Sequence, residues 1–206
     1  MRKLSIVSSI ILVAVITMSF MINSTDIAEL AIGAKMPKAD KGMTDVSGKE
    51  VSLGAAKTAK GVLVIFSCNT CPYVRLSESR IKEYTDLCTQ KGVGAILLNS
   101  NEAQRTEDDS MDEMKKYYAD QKLACYYAVD AKSEVADAFG ATRTPQCFLF
   151  DKDGVLVYKG AIDDNVKDPK AVKNFYLKDA ITAVGDGKKP ATAESKSIGC
   201  TIKRVE

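Results

Sequence analysis

The stretch Val62 to Tyr73, VLVIFSCNTCPY, constrains this chain more than any other. A short continuous apolar run bounded by a turn signal reads as a buried strand. It leads directly into two cysteines separated by two residues. Beyond them Ser77, Arg80, Glu83, Tyr84, Leu87 and Cys88 alternate faces as a helix would. Cys68 is therefore expected at the carboxyl end of a strand and the amino end of a helix, with Cys71 already inside that helix. Unpaired amide N–H groups and the helix dipole favour a thiolate at such a place. Cys68, nearer the strand, is expected to be the more exposed thiol and Cys71 the shielded one.

The chemistry open to the pair follows from what the chain lacks. Six cysteines, at 68, 71, 88, 125, 147 and 200, are spread over 206 residues, too long a chain for a disulfide-scaffold miniprotein. Only the first two form a motif. A CxxC before a helix in a strand-helix context points to redox chemistry, with a structural disulfide or half of a metal site as alternatives. A zinc site needs a second pair at ligand spacing, and there is none. The chain has no histidine, which removes Ser-His and Cys-His nucleophile pairs, histidine acid-base work and histidine metal ligation. No metal or cofactor is expected. Cys88, Cys125 and Cys147 read as small buried hydrophobes.

Residues 1–25 open with Arg2 and Lys3 and continue through LSIVSSIILVAVITMSFMI without a charge until Asp26. This is the pattern of a signal peptide or an N-terminal membrane anchor, so the body is expected to be exported. Membrane contact is expected only through this segment, if it stays uncleaved. The formal charge is +2, and Arg2 and Lys3 account for it, so the body is balanced and carries no field that would recruit nucleic acid. With 46% hydrophobic and 27% charged residues the body can build one domain with a full core.

Residues 26–48 read as a lead-in, and Glu50 to Leu53 as a short edge strand. After the central strand and helix, Gly92 ends the helix and Val93 to Asn99 is a second apolar strand, which makes a right-handed strand-helix-strand unit with a parallel sheet. The polar, acid-rich loop Asn101 to Asp109 reads as solvated. Ser110 with Glu113 forms a capping box for the next helix. Ala124 to Val129 reads as a strand and Ser133 to Phe139 as a short helix stopped by Gly140. Gln146 to Phe150 and Val155 to Lys159 flank Asp151-Lys152-Asp153-Gly154 as a β-hairpin. Asp168-Pro169 reads as the start of a helix running to Val184. Residues 187–206 form an irregular tail bearing Cys200.

The segments FSCNTCPYV, LLNSNEAQRTEDDSMDEM, FGATRTPQCFLFDKDG, VYKGAIDDN and SIGCTIK together resemble the exported redoxin group of the thioredoxin superfamily, which lies between thioredoxin-like oxidoreductases and the alkyl-hydroperoxide-reductase/thiol-specific-antioxidant proteins. The resemblance implies an α/β, three-layer thioredoxin-like fold over 49–186, a mixed central sheet with helices on both faces. It implies Cys68 as attacking and Cys71 as resolving cysteine, and a cis bond at Thr144-Pro145, where an extended substrate segment would pair. Protein thiols and disulfides and an unidentified electron donor or acceptor are the partners it implies.

The departures matter as much. Ile65, Phe66 and Ser67 carry no acid on the approach strand, which argues against a proton relay through a buried carboxylate. No threonine or serine stands three residues before either cysteine, which argues against a peroxiredoxin-like thiol peroxidase, although Arg143 is available to polarise a peroxide. Copper-delivering relatives add a histidine that is missing here, so a metallochaperone using Cys68, Cys71 and Cys200 is the weakest alternative. Cys200 itself is expected near the active-site face, as a possible third thiol.

Overall fold

A computed structural model describes residues 28–205. The leader read over 1–25 lies outside the described residues, among which no helix is long and apolar enough to cross a membrane. The elements follow as β1 (Met43–Thr44), β2 (Glu50–Val51), α1 (Leu53–Ala56), β3 (Gly61–Ser67), α2 (Pro72–Arg75), α3 (Glu78–Lys91), β4 (Gly94–Asn99), α4 (Met111–Asp120), β5 (Tyr126–Val129), α5 (Glu134–Phe139), β6 (Arg143–Thr144), β7 (Gln146–Asp151), β8 (Leu156–Gly160), α6 (Tyr176–Gly185) and β9 (Cys200–Thr201).

The apolar approach to the cysteines forms β3, all of whose residues are buried. It can be apolar on both faces because it is the central strand of a five-stranded sheet ordered β5-β4-β3-β7-β8. β4 and β5 run parallel to it and β7 antiparallel, while β8, antiparallel to β7, runs in the direction of β3 again. Alternation along β3 then divides the core. Leu63 and Ile65 pack under α3, α4 and α6, while Val62, Val64 and Phe66 pack under α1 and α5. This is the mixed sheet with helices on both faces that the resemblance implies. On the second face Phe139 meets Phe66, Phe148 and Phe150 edge-on, with ring centroids 5.2 to 5.6 Å apart.

Several elements lie where the sequence places them. Gly92 closes α3 in the left-handed region, Ser110 Oγ accepts the Glu113 N–H, and β7 and β8 form the hairpin. Two helices differ. The helix after the cysteines is interrupted, because the Arg80 N–H turns to Ser77 O and its guanidinium donates to the Leu76 carbonyl that a continuous helix would have used. α2 is therefore a single turn. Downstream, Asp168 caps only a short 3₁₀ turn, and α6 starts at Tyr176. The Asp164 carboxylate accepts the Lys173 and Asn174 N–H groups and so holds that segment out of the helix.

The segments read as lead-in and tail are laced onto the sheet. The Asp45 carboxylate and the Val46 N–H bond Tyr127 on the outer side of β5. Lys159 on β8 exchanges backbone bonds with Ala193 and Ser195. At its end the tail pairs β9 with β6, setting Cys200 opposite Thr144, and Ile202 is buried.

Candidate active site

β3 ends at Ser67 and delivers Cys68 and Asn69 into a short loop, and Cys71 caps α2 with Pro72 in its first turn. Both sulfurs converge on Thr144. Cys68 Sγ lies 3.4 Å from Thr144 Oγ1, and Cys71 Sγ lies 3.2 Å from the Thr144 carbonyl oxygen. The Thr144-Pro145 bond is cis, and all six cysteines are unlinked.

The expected difference in exposure is reversed and nearly absent. Cys68 is 1% exposed and Cys71 4%. The tail is packed against the site: Gly199 lies so close that a Cβ on it would stand 2.2 Å from the Thr144 oxygen. Nor is Cys71 inside a helix, and a four-residue turn has little dipole to offer a thiolate.

The two thiols instead titrate as a pair. Cys71 is held down to about 4, first by the neighbouring Cys68 thiol and then, against burial, by Cys200 and the Thr144 hydroxyl. Cys68 is pushed well up, first by the same interaction and then by burial. One proton is thus shared between the sulfurs, and the first comes off far below the ordinary thiol range. The Thr144 carbonyl works against charge on Cys71, since at 3.2 Å it accepts an S–H, whereas the Thr144 hydroxyl can donate to Cys68. The pair can therefore pass its proton between two adjacent hydrogen-bonding sites on one residue.

A buried carboxylate stands beside the pair after all. Asp109, from the loop read as solvated, is buried and accepts the Asn69 N–H and the Asn99 and Asn101 side-chain amides. Its charge adds to the forces that raise Cys68. Tyr127 donates to Asn69 Oδ1 and accepts from Asn99. This network fixes the residue between the two cysteines. One signal pointed to it: Asn99, Ser100 and Asn101 follow a parallel strand at its carboxyl end, where α/β sheets build their sites.

The remaining candidates are placed as follows. Arg143 is exposed and donates to the Gly199 carbonyl, tethering the tail rather than facing a sulfur. Cys200 is half-buried and packs against the cluster that holds Cys68 and Cys71. Cys88 and Cys147 are buried, and burial pushes both thiols up. Cys125, just before β5, is half-buried, and desolvation lifts it to about 12.

The family profile described as Redoxin matches residues 31–175. A hypothetical protein from Sinorhizobium meliloti 1021 is 30% identical with a TM-score of 0.78, over 86% of this chain and 97% of that one. Peroxidoxin BcpB from Mycobacterium tuberculosis is 12% identical with a TM-score of 0.58, over 77% of this chain and 98% of its own. The thioredoxin domain of a thiol-disulfide oxidoreductase from Bacteroides vulgatus is 23% identical with a TM-score of 0.53, over 64% and 89%. At those identities the last two share the fold. No match was found among curated protein sequences.

Proposed function

The chain belongs to the Redoxin family, and from that membership we propose that it is a thiol-disulfide oxidoreductase acting on protein thiols and disulfides outside the cytoplasm. The observation that carries this reading is the convergence of Cys68 and Cys71 on Thr144, next to the cis-Pro145 bond. Transfer of the shared proton from Cys68 to Cys71 yields the Cys68 thiolate, which attacks a disulfide sulfur and forms a mixed disulfide. Cys71 then loses its proton and attacks Cys68, releasing the reduced partner and leaving the Cys68–Cys71 disulfide. Run in reverse, the same steps oxidise a dithiol, and the redox partner sets the direction.

The shared proton supports the exchange, because it supplies a thiolate at neutral pH and keeps the second thiol ready to resolve. Cleavage of a peroxide asks for a guanidinium at the sulfur to stabilise the departing oxygen, and the Arg143 guanidinium is turned to Gly199. Location outside the cytoplasm rests on the uncharged apolar stretch after Arg2 and Lys3.

Reduction of insulin disulfides with dithiothreitol as reductant tests the reading. Wild type should accelerate it and Cys68→Ser should not. Hydrogen peroxide consumed well above the rate of disulfide exchange would move the protein to the peroxidases.

A further inference from the structure

The CxxC sulfurs are almost wholly hidden, yet a protein disulfide must bring its own sulfur into line with an attacking thiolate. The chain's own tail lies against this site. β9 pairs with β6 in the two residues just before Pro145, so Cys200 stands opposite Thr144, the residue on which both buried sulfurs converge. Residues directly opposite in an antiparallel pair have Cα atoms about 4.5 to 5.5 Å apart. Gly199 is pressed against the Thr144 carbonyl, and Cys71 Sγ lies 3.2 Å from the same oxygen. Of the three thiols gathered here, Cys200 alone is more than marginally exposed.

We propose that Cys200 is a third redox thiol, the outward-facing one, through which protein partners exchange disulfides with the buried Cys68–Cys71 pair. This rests on the oxidoreductase reading and adds the route by which electrons enter and leave. In the reducing direction the Cys200 thiolate attacks the partner's disulfide, forms Cys200–S–S–partner and releases the first partner thiolate. Cys71 then attacks the Cys200 sulfur, forms Cys71–Cys200 and releases the second. Cys68 finally attacks Cys71, forms Cys68–Cys71 and frees the Cys200 thiol. Two electrons pass to the partner's disulfide, and its two sulfurs take up the one proton that Cys68 and Cys71 share and one from solvent. Cys200 returns to its starting state.

Two further features support the route. Cys71 and Cys200 lie close enough for each to perturb the other's titration, Cys200 lowering Cys71 while burial and then Cys71 raise Cys200. Ile198, exposed two residues before Cys200, lines with Ser77, Pro145 and Ile162 a cavity of about 30 Å³. The exposed Ile198 offers a partner an apolar contact two residues from Cys200.

The test uses insulin as partner and the full chain. Reduced Cys71→Ser is mixed with insulin, and the trapped adduct is mapped by mass spectrometry; oxidised Cys68→Ser is mapped for an internal link. The expected results are an insulin chain on Cys200, a Cys71–Cys200 disulfide, and insulin reduction slowed at least tenfold in Cys200→Ser. An adduct on Cys68, or Cys200→Ser working at the wild-type rate, overturns the relay while leaving the oxidoreductase reading in place. Wild type that forms no adduct and reduces no insulin overturns both.

Discussion

The sulfur of Cys71 lies 3.2 Å from the carbonyl oxygen of Thr144, while the hydroxyl of the same threonine lies 3.4 Å from Cys68. One residue therefore offers an acceptor to one thiol and a donor to the other. The two sulfurs can differ in charge although they share a motif and a degree of burial.

The coupling of the two thiols should appear in stability against pH. The ordinary thiol value is 9.0, and in the fold Cys71 stays charged down to about 4. Between these limits the reduced native state binds fewer protons than the unfolded chain, so its stability rises with pH; the contribution is complete above 9.0 and lost as pH falls towards about 4. Cys68 is raised, so above the ordinary value the unfolded chain ionises it and the native state does not, and stability falls again. Urea midpoints of the reduced protein against a Cys68→Ala/Cys71→Ala variant should differ most near pH 9.0. A difference that is flat with pH would contradict the shared proton.

Asp109→Asn should act on both stability and thiol chemistry. The new amide nitrogen turns a donor on either the Asn99 or the Asn101 amide, each of which now meets a carboxylate oxygen, at a cost of roughly 2 to 4 kcal/mol. It also removes a charge that raises Cys68, so thiolate absorbance of Cys68 should appear at lower pH. Thermal denaturation reads the first effect and ultraviolet titration the second.

Gly199→Ala should uncover the pair. The new Cβ meets backbone oxygen rather than a flexible side chain, so the tail has to shift, at about 1 to 3 kcal/mol. Alkylation of Cys71 by iodoacetamide, followed by peptide mapping, should become faster. An unchanged rate would mean that something other than the tail hides the sulfur.

Phe139→Ala should report on the face remote from the thiols. The ring meets three other phenylalanines, and its loss should cost about 3 to 5 kcal/mol in urea denaturation. Oxidation of Cys68 and Cys71 to their disulfide should proceed normally in the fraction that remains folded.

The legible parts of the chain are those whose cause is local. β3 announces itself by apolar continuity, Gly92 and Ser110 by their capping chemistry, and the β7–β8 hairpin by its turn residues. Asp109 could not be read this way, because an aspartate in a polar loop looks solvated until Asn69, Asn99 and Asn101 arrive from elsewhere to bond it. Strand β9 has two residues and hence no periodicity, and its partner is more than fifty positions away. The break between α2 and α3 likewise depends on Arg80 reaching Asp163 and the carbonyls of Asn165 and Val166, a contact that local helix propensity does not register.

The bonds that the Asp45 carboxylate and the Val46 N–H make along β5, and those of the Ala193 and Ser195 backbone along β8, have a consequence for self-association. An open sheet presents unpaired N–H and C=O groups along its two outermost strands, and such rows template pairing with another chain. Here both rows are covered by residues from near the two ends of the described chain. Sheet extension between copies is therefore discouraged at both borders.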